Sequence, residues 1–145
     1  MRLMIDTNII VSPLVDDEFA EESILFLKKA RRRGFALLIS PIILSELYTW
    51  VYLDPDPKKR EQELNDFLAA AHISIIMALP REIVKRAGEL HAEYVKRSGK
   101  RKRISPDFII GAYAEHFADI FVTWNPEDFK LKIPVKTPKE ILREL

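Results

Sequence analysis

The chain contains no cysteine. That excludes disulfides, thiolate nucleophiles and any Cys-based zinc site, and it fits a reducing, cytoplasmic setting. Only 4 of the 145 residues are glycine, too few for a flexible linker, so residues 1–145 read as one domain. There is no excess charge of either sign. At a net +1, any contact with nucleic acid has to come from local patches rather than bulk attraction. No apolar run is long enough to cross a membrane: the best stretch, Ala36 to Leu53, is interrupted by Ser40-Pro41 and Ser45-Glu46. Asp6 breaks the first apolar run too early for a secretory signal, whose apolar region needs about 7–15 residues. His72, His91 and His116 form no metal-ligand spacing and read as structural or surface residues.

What is present is a globular balance of 48% hydrophobic and 31% charged residues, enough to close a core. Leu3 to Ile5, Phe35 to Ile39, Ile73 to Leu79 and Ile120 to Thr123 are apolar runs of strand length, and Val135 starts a short fifth. Between them lie segments with helical periodicity: Asp16 to Arg33, Pro41 to about Leu53, Lys58 to Ala71, Pro80 to Gly99, Pro106 to about Phe117 and Pro138 to Leu145. Ser40-Pro41 and Ser105-Pro106 are N-cap-plus-proline starts, and Gly34 and Gly99 are stops. Strands alternating with helices predict an α/β fold with a mainly parallel sheet covered on both faces.

In such a sheet ligands bind beyond the carboxyl ends of the strands. Four separate segments deliver acidic or amide side chains to that edge. Asp6, Thr7 and Asn8 follow the first strand, Glu46 lies in the helix after the second, Asp107 opens the helix leading to the fourth, and Thr123, Asn125 and Asp128 follow the fourth. Each has a plainer role on its own: a turn residue, a solvated helix face, a partner for a helix dipole. Together they are crowded carboxylates, which repel one another and call for a cation. Hard oxygen ligands suit Mg²⁺ or Mn²⁺, and such ions serve phosphodiester hydrolysis.

The basic segments divide. Lys28 to Arg33, and Lys96 with Arg97, sit in last helical turns, where the helix dipole accounts for them. Lys100, Arg101, Lys102 and Arg103 form a loop run leading to Asp107, placed either to hold phosphates beside the site or simply to be solvated. Tyr48, Trp50 and Tyr52 read as a packing surface. Trp124 reads as packing or as a base-stacking group.

Asp6-Thr7-Asn8, Ser40-Pro41 with Ser45-Glu46-Leu47, Ser105 to Ala112, and Thr123 to Phe129, in that order along essentially the whole chain, resemble the PIN-domain ribonucleases, and among them the VapC-like toxin branch. The resemblance implies a three-layer α/β/α sandwich with a parallel sheet of about five strands and Mg²⁺- or Mn²⁺-dependent cleavage of RNA. It makes Asp6, Glu46 and Asp107 the acidic core, with Asp6 and Asp107 closest to metal and Glu46 acting on water. Thr7 and Asn8 brace Asp6, and Thr123 supports by hydrogen bonding. Where many relatives carry a fourth acid two residues after the strand-four threonine, this chain has Asn125, so Asp128 is the alternative fourth carboxylate. The resemblance further implies a homodimer, for which Leu44 to Leu53 is a candidate contact surface, and a small antitoxin partner. Two related readings remain at this stage, an RNA-processing nuclease and an inactive RNA-binding module. A third, an aspartyl-phosphate on Asp6, lacks the second Asp that chemistry wants, since Asn8 stands there.

Overall fold

The computed structural model describes residues 1–100 and 105–145. The strands are β1 (Arg2–Ile5), β2 (Ala36–Ile39), β3 (Ile73–Ile75), β4 (Ile120–Val122) and β5 (Val135–Lys136). The helices are α1 (Thr7–Val15), α2 (Ala20–Arg32), α3 (Pro41–Tyr52), α4 (Pro57–Ala70), α5 (Arg81–Ser98), α6 (Pro106–Phe117) and α7 (Pro138–Glu144), with a 3-10 turn at Pro126–Asp128. The strands form one sheet in the order β3-β2-β1-β4-β5, and every pairing is parallel. Helices flank the sheet, as the strand-helix alternation predicted.

The central strands are buried because nearly every residue is apolar. Leu3, Met4, Ile5, Ile39, Phe121 and Val122 are fully enclosed, the pattern of a sheet covered on both faces. From β1 the chain builds outward through β2 to β3, then returns to add β4 and β5 on the other side. The order therefore reverses between β1 and β4, and a crevice opens outside the carboxyl ends of those two strands.

Two expectations change. The helix read over Asp16 to Arg33 is in fact α2, starting at Ala20, and a separate helix, α1, precedes it. α1 has a weak apolar stripe and contains Pro13, so neither periodicity nor composition marks it as helical. It stops at Asp16, which takes a left-handed φ of 54°. The next turn is tied by Asp17, whose carboxylate accepts from the Ser12 hydroxyl and from the Phe19 N–H at 2.9 Å. The third strand ends at Ile75 rather than Leu79. Ile76 N–H still donates to Ile39 O at 2.9 Å, but Met77 and Leu79 are 67% and 61% exposed. β3 is an edge strand, and its apolar tail has no neighbour on which to continue a ladder.

α5 and α6 pack as a pair across a mostly buried ion pair. Arg86 donates from Nε and Nη2 to the two oxygens of Glu115 at 2.6 and 3.2 Å, and Glu115 also accepts the Lys132 N–H at 2.8 Å. One carboxylate thus joins both helices to the segment that follows the 3-10 turn.

Candidate active site

Asp6 is the first residue past β1. Its N–H donates to Val122 O at 2.9 Å, so its backbone is held by the neighbouring strand. It also caps α1: Oδ1 accepts the Thr7 N–H at 2.8 Å, as an N-cap side chain does. Oδ2 accepts the Thr123 hydroxyl at 2.7 Å. Thr123, buried at the end of β4, in turn accepts the Asn125 N–H at 3.1 Å. Thr7 does double duty, because its hydroxyl donates to Glu46 Oε1 at 3.0 Å. Asn8 reaches the other flank, with its side-chain oxygen accepting the Trp124 N–H at 3.5 Å.

Glu46 comes from α3, whose start is fixed by Ser40 accepting the Ile43 N–H at 3.2 Å, with Pro41 at the first position. Asp107 comes from the first turn of α6, where its N–H donates to Ser105 Oγ at 3.3 Å. Asp128 ends the 3-10 turn after β4, and its N–H donates to Asn125 O at 3.1 Å.

The acids sense one another. Burial pushes the Asp6 carboxyl above its ordinary value against the hydrogen bonds from Thr123 and Thr7, and the charges of Asp107 and Asp128 add to the rise. Glu46 is raised by burial, with Asp6 and Asp107 contributing while its bond from Thr7 opposes. Asp107 is raised by burial and by Asp128. The predicted core of Asp6, Glu46 and Asp107 is therefore brought to one place, and Asp128 is the fourth charge that acts on it. Asn125 contributes through its backbone, bridging Thr123 and Asp128. Lys100 is exposed at the end of α5, and Arg101, Lys102 and Arg103 lie outside the described residues.

Among the described residues no three acidic or imidazole side chains close into a preformed metal cage. The donor chemistry nonetheless fits a hard divalent cation. The set is all oxygen, its members repel one another, and a 2+ charge would relieve that repulsion. Asp6 and Asp107 would hold such an ion, with Glu46 and Asp128 at its margin.

These shifts set a pH dependence for the metal-free protein. For a carboxyl raised on folding, the folded state binds more protons than the unfolded state between the two pKa values, so stability falls as pH rises through that window. The melting temperature in EDTA should therefore decline from about pH 4.5 upward. Asp107→Asn should flatten the decline. An unchanged slope in that variant would mean the acids are not coupled.

A cavity of about 850 Å³ opens beside Asp107 and Asp128, walled by the last turns of α5, the start of α6 and the segment after the 3-10 turn. Arg97 and Lys130 line it. Reading Arg97 only as a partner for the helix dipole missed this position. The available signal was that the ends of α5 and α6 must both approach the acidic edge if Asp107 does. Trp124 is not a free platform, since its Nε1–H donates to the buried Ser23 hydroxyl at 2.9 Å and its ring stacks on Phe19 at 4.6 Å.

Comparisons with known proteins agree with this fold. No curated protein matches the chain. Among solved structures, the chain overlays a component of VapBC2 from Rickettsia felis, determined with a DNA fragment from their promoter, at 22% identity and a TM-score of 0.76, covering 94% of this chain and 98% of that one. VapBC-1 from nontypeable Haemophilus influenzae overlays at 16% identity and 0.73, covering 96% and 99%. FitAcB from Neisseria gonorrhoeae does so at 23% and 0.64, covering 94% and 98%. At these identities the likeness is one of fold. The family profile described as PIN domain matches residues 3–132, nearly the full length, and the chain belongs to the PIN domain family.

Proposed function

We propose that this protein is a Mg²⁺- or Mn²⁺-dependent endoribonuclease that hydrolyses RNA phosphodiester bonds, acting as the toxin of a toxin-antitoxin pair. The observation that carries the reading is the set of mutually repelling carboxylates, Asp6, Glu46, Asp107 and Asp128, at the point where the strand order reverses. When bound, the divalent ion supplies Lewis acidity towards water and the phosphate oxygens. The chain's own residues do the rest. Thr7 and Thr123 each engage one oxygen of Asp6 and fix the carboxylate plane. Thr7 also holds Glu46 by Oε1, which leaves Oε2 to take a proton from the attacking water. A raised pKa makes Glu46 a stronger base for that transfer.

The test is cleavage of a mixed RNA pool by purified protein in Mn²⁺ and in EDTA. Metal-dependent cutting supports the reading. No cutting, together with no Mn²⁺ binding by calorimetry, would leave an inactive RNA-binding module. Metal should also stabilise the fold, by about 2.7 kcal/mol at one hundred times its dissociation constant. A melting temperature indifferent to Mn²⁺ would count against a metal site.

The toxin role draws on the VapBC neighbours. It predicts growth arrest on expression, relieved by Asp6→Asn, and a small antitoxin that covers the acidic crevice. Unimpaired growth would instead favour an RNA-processing nuclease working in the cytoplasm. For the proposed homodimer, the end of the Leu44 to Leu53 segment offers Tyr52 and Leu53, 67% and 79% exposed. Light scattering that gives a monomer at high concentration would remove that proposal.

A further inference from the structure

We propose that the cavity beside Asp107 is the subsite for the single-stranded RNA flanking the cut, with Arg97 and Lys130 holding its phosphates and Tyr94 stacking a base. This rests on the ribonuclease reading and adds the direction from which substrate enters.

The two flanks of the acidic crevice differ in the cations they offer. On the α2 side, Phe19 stacked on Trp124 lies within the run Asp16-Asp17-Glu18-Phe19-Ala20-Glu21-Glu22, a poor neighbour for a phosphate backbone. On the α5 and α6 side, the chain places Arg97 and Lys130 in the cavity wall. Neither makes an ion pair among the described residues. The wall also carries acids: Glu93 faces Arg86 at 3.4 Å, Asp107 and Asp128 belong to the crevice itself, and Glu127 is exposed on the 3-10 turn.

The cavity also has the surface a base needs. Tyr94, half-buried, meets Phe108 with ring centroids 5.7 Å apart and a 51° tilt, and Phe108 directly follows Asp107 in α6. An aromatic floor one residue from the acid, cations on the rim and a volume within the range of about 300–1,000 Å³ typical of ligand sites fit an unpaired nucleotide. Sequence-tolerant binding of single strands uses this same combination of stacking and a basic groove.

The experiment uses an end-labelled, randomised-sequence 20-mer oligoribonucleotide. Its cleavage in Mn²⁺ and its affinity across a salt series are measured for wild type, for Arg97→Ala with Lys130→Ala, and for a control pair, Lys58→Ala with Lys59→Ala on α4, which removes the same charge elsewhere. Melting curves establish that each variant folds. In the groove pair, KM should rise about tenfold or more, and the slope of log affinity against log salt should shrink by about 1.4, the value for two phosphate contacts on a single strand. The control pair should match wild type. Tyr94→Leu should weaken binding about tenfold, with Tyr94→Phe restoring it. Equal effects in both pairs, or none in the groove pair while wild type cuts RNA, would overturn the subsite and leave the ribonuclease reading standing. A wild type that neither binds nor cuts would remove both.

Discussion

Asp107→Asn should lose RNA cleavage by at least about 100-fold and, in the absence of metal, melt at a higher temperature than wild type. Both effects come from one charge. Asp107 opens α6 with its carboxyl raised by burial and by Asp128, and its charge also acts on Asp6 and Glu46. The amide keeps the shape and removes the repulsion, so the folded state of the metal-free protein gains. The same change deprives a divalent ion of a ligand, so the gain from added Mn²⁺ should shrink. Calorimetric melting with and without Mn²⁺, beside the cleavage assay, reads both effects. Loss of activity with loss of stability would mean that Asp107 matters to the start of α6 rather than to the chemistry. Full activity would place the reaction elsewhere.

Glu115→Ala should cost about 3 kcal/mol, roughly 6–12 °C in melting temperature for a chain of this size. The Arg86 and Glu115 side chains are only 14% and 9% exposed, and the guanidinium meets the carboxylate through two hydrogen bonds. Burial alone would raise the Glu115 pKa, but the bonds from Arg86 and the Lys132 N–H and the charges of those two residues outweigh it and hold the carboxyl below its ordinary value. Its contribution is therefore present above the ordinary glutamate pKa and is lost as pH falls through the lowered one. Truncation leaves Arg86 with only its longer contacts to Glu89 and Glu93, at 3.8 and 3.4 Å, and frees the Lys132 N–H. The segment carrying Lys130 and Leu131 would loosen from α6, so KM for RNA should rise along with the loss of stability. A loss below about 1 kcal/mol would class the pair with ordinary surface bridges.

Much of the fold could be read in advance because its signals are local. Ser40-Pro41 and Ser105-Pro106 mark helix starts with a side-chain cap and a fixed φ, and both do start helices. Gly99 marks a stop because the chain turns left-handed there, at φ 68°. α1 escaped because its evidence is not local: Ile9 and Ile10 are fully buried, and α1 packs on α2 and α3, which no pattern within α1 itself announces. The acidic positions were legible because a parallel sheet sends all its strand ends to one edge. The hydroxyls of Thr7 and Thr123 were legible only as neighbours of Asp6. That Thr7 links two acids at once depends on how α3 lies across the start of α1. The Arg86–Glu115 bond that ties α5 to α6 joins residues 29 positions apart, and no pattern along the chain announces that pairing.

The hydrogen bond from Asp6 N–H to Val122 O makes the first acid of the crevice also the last rung between the two innermost strands. Displacing the backbone of Asp6 by any large amount would open the end of the β1–β4 ladder. The backbone of Asp6 is thus anchored to the core, and its amide should be among the slowly exchanging ones. Asp6 therefore offers no soft joint through which a distant ligand could pull it out of place. The proposed antitoxin would then act from outside, by lying across the mouth of the crevice.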